Sequence, residues 1–99
     1  MTHRINTVLP DILRRAQQRS RALAVIQAQW GRLVGRALAA HTKPVSLRRG
    51  GLVIHADRPG DSFALSYQRQ QLLEQLRVTV KEAAIEELII RPGDVRAKR

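Results

Sequence analysis

The sequence predicts an α+β fold, a three-stranded sheet with helices packed on one face in the order α-α-β-β-α-β. Three observations carry that prediction. Apolar residues recur at helical spacing before residue 40 and again between residues 61 and 80. Between those blocks, two alternating stretches flank a Gly-Gly pair, the pattern of a β-hairpin. A last apolar run, Glu87-Leu-Ile-Ile-Arg91, stops at Pro92-Gly93. Ninety-nine residues suffice for one such domain and not for two.

The first helix is expected over Thr7–Gln18, with Val8, Leu9, Ile12, Leu13 and Ala16 on one side. Pro10 is tolerable in a first turn, where its N–H has no intrahelical partner to lose. A second helix is expected from Ser20 or Arg21 to Ala40. Leu23, Ile26, Trp30, Leu33, Val34, Ala37 and Leu38 form its buried stripe. At about 100° per residue, Arg21, Arg32 and Arg36 share the opposite face. Gly31 and Gly35 lie on a flank of that helix, and close backbone packing against a neighbour is the expected reason for them.

Lys43–Arg49 alternates, with Val45 and Leu47 on one side and Ser46 and Arg48 on the other. Gly50-Gly51 is the expected turn and Leu52–Asp57 the second strand. Arg58–Asp61 reads as a turn, after which Asp61 or Ser62 caps a third helix running to Val80. Leu65, Leu72, Leu73 and Leu76 line its apolar side. Phe63 is expected to pack near its start, Tyr67 to pack there or to stand open to a base, and Val78-Thr79-Val80 to weaken its end. Residues 1–92 form the domain, and 93–99 a short polar, basic tail expected to be disordered from Asp94.

Charge narrows the function. The formal net charge is +10 and the sequence pI is about 11.7. Residues 1–50 hold ten Lys and Arg against the single acid Asp11, whereas residues 51–99 hold eight against seven acids. A polyanionic partner follows, bound through neutralised phosphates and released counterions. The candidate contacts are Arg14, Arg15, Arg19, Arg21, Arg32, Arg36, Lys43, Arg48 and Arg49.

Catalytic patterns do not emerge. With no cysteine, a thiol nucleophile, a disulfide framework and a Cys-ligated zinc site are excluded. His3, His41 and His55 lack partners at metal-ligand spacing, and Glu86 and Glu87 point to opposite faces of a strand. No phosphate-binding loop or nucleophile elbow occurs. The expectation is therefore a protein that is not an enzyme and needs no cofactor, metal or small-molecule substrate. No apolar run nears the roughly 20 residues that cross a bilayer, and Met1–Arg15 does not resemble a signal peptide. A cytoplasmic, nucleoid-associated protein with no membrane partner is expected. Trp30 lies mid-stripe and is expected in the core rather than stacked on a base.

One stretch is more specific. Trp30, Val34, Gly35, His41, Thr42, Pro44, Val45, Leu47, Gly51 and Leu52 fall in the order and spacing of a family signature. That signature is a Trp, then Val-Gly, then a His-Thr-x-Pro-Val-x-Leu strand, a Gly turn and a further strand. Ser62-Phe63-Ala64 with Tyr67, the leucines Leu72, Leu73 and Leu76, the Leu88-Ile89-Ile90 strand, and the opening Leu9-Pro10 with Leu13 extend the match. The chain thus resembles the DciA family from about Leu9 to Pro92. Phe63 and Tyr67 stand where the family usually has Trp and Leu.

The resemblance implies a KH-like fold, the hexameric replicative helicase DnaB as partner, and affinity for DNA, especially single strands or forks. A KH groove clamps nucleotides with a Gly-x-x-Gly loop, and this sequence has none. Contacts from arginines to phosphates are expected instead, salt-sensitive and weakly sequence-specific. Three readings stay open on the residues: a loader or recruiter of the helicase that binds DNA without ATP hydrolysis, a general single-stranded DNA- or RNA-binding module with no helicase role, and a domain whose basic face meets an acidic protein.

Overall fold

The computed structural model describes residues 2–95, and side chains from Ile12 onward. Helix α1 spans Thr2–Ala28, followed by the short helices α2 (Trp30–Val34) and α3 (Arg36–Ala39). Strands β1 (Thr42–Arg48) and β2 (Gly51–Ala56) form the hairpin. Helices α4 (Pro59–Tyr67) and α5 (Arg69–Thr79), then a 3-10 turn at Lys81–Ala83, lead to β3 (Glu87–Pro92). The sheet order is β1-β2-β3. The first pair is antiparallel and the second parallel, so α4 and α5 form the crossover that a parallel pair requires. The α+β class, the three strands and their order with the helical blocks are as the sequence predicts.

The helices are divided differently. Nothing between Gln18 and Arg21 interrupts a helix, and α1 runs through the expected junction, with Pro10 inside it rather than in a first turn. The expected 20–40 helix instead breaks twice. Gln29 leaves the helical region at φ −104°, ψ 9°, and Gly35 adopts φ 93°, ψ 153°, a conformation essentially reserved for glycine. Gly35 is therefore a hinge between α2 and α3, not a packing notch. A Cβ on Gly31 would meet nothing within 4 Å, so close approach does not explain that glycine either.

The third helix begins earlier than expected. Extended Arg58 precedes Pro59 at the first turn, where a missing N–H costs nothing. Asp61 lies within that turn and accepts a hydrogen bond from Arg58 Nε at 3.0 Å. The helix is then cut at Gln68 (φ −95°, ψ 10°) into α4 and α5. The hairpin turn centres on Arg49 and Gly50, at φ 51° and 80°, rather than on Gly50-Gly51; Gly51 already belongs to β2.

The core lies between the helices and one sheet face. Ile26, Leu52, Ile54, Leu65, Leu76, Ile85 and Leu88 are sealed from solvent. Trp30 joins them at 4% exposure, as expected. Its Nε1 donates to Thr42 Oγ1 at 2.9 Å, and that hydroxyl donates to the Leu38 carbonyl at 2.6 Å. This relay ties α2 and α3 to β1 and satisfies a buried indole N–H and a buried hydroxyl together. Phe63 departs from the expected packing, and Tyr67 takes the open alternative: they are 77% and 90% exposed. Leu65, between them, takes the buried side of α4.

The tail is partly seated. Gly93 donates its N–H to the Ala56 carbonyl, and a Cβ there would stand 2.5 Å from the His55 ring. Val95 lines a hollow with Gln27, Trp30 and Lys43. Residues 96–99, most of the tail expected to be disordered from Asp94, lie outside the described residues.

Candidate nucleic-acid interface

The register of the sheet decides what its helix-free face presents. In β1, a bulge between Pro44 and Ser46 shifts the alternation by one residue, so Thr42 and Pro44 face the core before it and Leu47 after it. Lys43 then lies opposite His55, and His55 beside Arg91 in the parallel pair. Residues so paired project to the same side. A row of Lys43, His55 and Arg91 therefore crosses all three strands on the outer face. Next to it, Ser46, Val53 and Ile89 form a row of mostly apolar character, and Arg48, Gly51 and Glu87 the third row.

A second basic group lies where α1 passes the hairpin tip. Arg15 and Arg19 are four residues apart and share a helix face. With Arg49 of the turn they line a hollow of about 260 Å³, whose wall includes Leu47, Gly50 and Glu82. All three arginines are exposed. Gly50 fixes this meeting, because its carbonyl accepts the backbone N–H of Glu86 at 2.8 Å and of Glu87 at 3.1 Å. The turn that carries Arg49 is thereby held against the chain entering β3.

The remaining candidates are dispersed. Arg14 and Arg21 lie seven residues apart on another side of α1, both exposed. Arg32 borders a shallow hollow with Glu74 of α5. Arg36 sits beyond the Gly35 hinge on α3, so the expected ridge of Arg21, Arg32 and Arg36 on one continuous helix does not form. Lys43 and Arg48 belong to the outer sheet face. The nine predicted residues thus fall into a tip cluster, a sheet face and isolated positions.

Arg91 was not among the candidates. Its place beside His55 depends on the parallel β2–β3 register, which no local pattern encodes. Other cations of the second half hold the fold together. Arg58 binds Asp61, Arg69 Nη1 donates to the Leu88 carbonyl at 3.2 Å, and Arg77 Nε donates to that of Ile85 at 3.2 Å.

One cluster joins distant residues. His41 Nδ1 is 3.0 Å from Asp57 Oδ1, and Asp61 is close enough for the three to present ligand atoms within 4.8 Å of one another. Asp57 is engaged by a hydrogen bond with His41 and Asp61 by an ion pair with Arg58, which accounts for the arrangement as surface polar contacts. Among the described residues, no helix is long and apolar enough to cross a membrane.

No curated protein matches the chain. The family model described as Dna[CI] antecedent, DciA, matches residues 4–90. That span takes in the Trp30–Thr42 relay, the Gly35 hinge, the hairpin and β3 up to Ile90. The chain belongs to the DciA family, and its role is linked to the loading of the replicative helicase.

Proposed function

We propose that this domain recruits the replicative helicase DnaB by protein contact and holds DNA on its arginine-rich surface, without nucleotide chemistry of its own. It acts in the cytoplasm at the nucleoid, with residues 1–92 as the KH-like domain and 93–99 as a short tail. Family membership supports the helicase half. The observation that carries the DNA half is the meeting of Arg15, Arg19 and Arg49 around one hollow at the hairpin tip. Guanidinium groups in such a group match phosphate oxygens, and contacts to phosphate carry no sequence information. Among the described residues, Glu82 is the acid that borders that hollow.

The test is unwinding of a forked substrate by DnaB with and without the protein, beside capture of purified DnaB. Stimulated unwinding with capture is the expected result. Strand binding without capture would leave a nucleic-acid module with no helicase role. Capture without any DNA affinity would remove the DNA half.

A further inference from the structure

Phe63 and Tyr67 are four residues apart on α4, so their rings stand side by side on one helix face, one turn from each other. At 77% and 90% exposure, neither contributes to the core. We propose that these rings form a stacking platform for the bases of an unpaired DNA strand; this rests on the DNA half of the proposed function and names a site for it outside the arginine cluster.

The surroundings favour a strand over a protein. A protein hot spot is a well-packed pocket whose neighbours exclude water. Here the exposed neighbours are Gly60, Ser66 and Gln70, small or polar, with Pro59 one turn before Phe63, on a convex helix. Two isolated rings on polar ground suit a ligand that is itself flat, apolar on its faces and polar at its edges. A base meets that description, and stacking on aromatic side chains tolerates any base.

Charge agrees. Arg69 follows α4 and keeps its positive charge beside the Leu88 carbonyl, whereas the charge of Arg58 before the helix is matched by Asp61. The acid of α4, Asp61, is half-buried and already accepts from Arg58. A duplex cannot use the platform, because its base faces are occupied by their neighbours in the stack.

The experiment uses the full chain and fluorescence anisotropy with labelled oligo-dT and, separately, a duplex of equal length. Phe63→Ala with Tyr67→Ala should weaken oligo-dT binding by about tenfold or more. Duplex affinity, the salt dependence of binding and the melting temperature should stay as in the parent protein. Phe63→Trp with Tyr67→Trp should retain or strengthen oligo-dT binding. Unchanged oligo-dT affinity in the double alanine variant overturns the platform, while leaving DNA binding by arginine intact. Equal losses for both substrates overturn it as well. So does loss of DnaB capture with strand binding preserved, which assigns the rings to a protein. A parent protein that binds neither substrate removes the platform together with the DNA half of the proposed function.

Discussion

Thr42 shows how one hydroxyl joins three elements. It accepts from Trp30 and donates to the Leu38 carbonyl, at 1% exposure. Thr42→Val keeps the shape but leaves the buried indole N–H without its partner, while the Leu38 carbonyl keeps the His41 N–H at 3.1 Å. An unsatisfied buried group costs about 1–3 kcal/mol. For a domain of this size each kcal/mol lowers Tm by roughly 4–8 °C, so a clear drop in thermal melting is expected. Thr42→Ser, which keeps the hydroxyl, should lose much less. Gly35 is constrained by backbone rather than by contact. At φ 93° and ψ 153°, with open space where a Cβ would stand, Gly35→Ala is opposed by strain alone. Strain in that region costs about 1–3 kcal/mol. Gly31→Ala, in open space and inside a helix, should be neutral or mildly stabilising in the same melting experiment.

At the scale of elements, the hairpin tip and the first helix behave differently. Gly50 has φ 80°, and a Cβ there would sit 3.1 Å from the Ala84 carbonyl oxygen. Gly50→Ala should therefore destabilise by at least about 1 kcal/mol. It should also shift Arg49 relative to Arg15 and Arg19, so DNA affinity falls with stability. Helix α1 is anchored toward its C-terminal end, where Ala22 and Ile26 are buried, whereas Ile12 and Leu13 are 59% and 55% exposed. A helix draws most of its stability from tertiary packing. Hydrogen exchange should show weaker protection of the amides from Ile12 to Arg15 than of those from Ala22 to Ile26. Equal protection would mean that α1 is held along its length by something other than this packing.

For the whole molecule, a net charge of +10 gives non-specific attraction to any polyanion. Specific placement shows in how affinity responds to salt. The log–log slope should flatten by roughly one for each arginine that meets a phosphate. Arg15→Ala, Arg19→Ala and Arg49→Ala together should therefore flatten it more than Arg32→Ala with Arg36→Ala. In the latter pair, one arginine lies beside Glu74 and the other beyond the Gly35 hinge. Equal slopes in the two variants would mean that the charge acts as a diffuse field. Melting temperatures of both should remain near the parent value, since all five side chains are exposed.

Legible in the chain alone were the α+β class, the hairpin, the leucine-lined third helix and the final strand. Each rests on local periodicity: apolar residues at helical spacing, alternation, or Gly and Pro at element ends. It also determined that Trp30 is buried, because Ile26, Leu33 and Val34 surround it at helical spacing. Which residues meet is settled by packing across elements. Periodicity reports a residue's own face and not the element across from it. The Gly35 hinge hid within an unbroken helical pattern, since φ above zero leaves no trace in apolar spacing. Phe63 reads as core because aromatics usually bury, yet Leu65 claims the inner side of α4. Arg15 and Arg19 meet Arg49 only because α1 runs on past the hairpin tip. Arg91 joins His55 and Lys43 only because β3 pairs in parallel with β2, a long-range register that local spacing does not report.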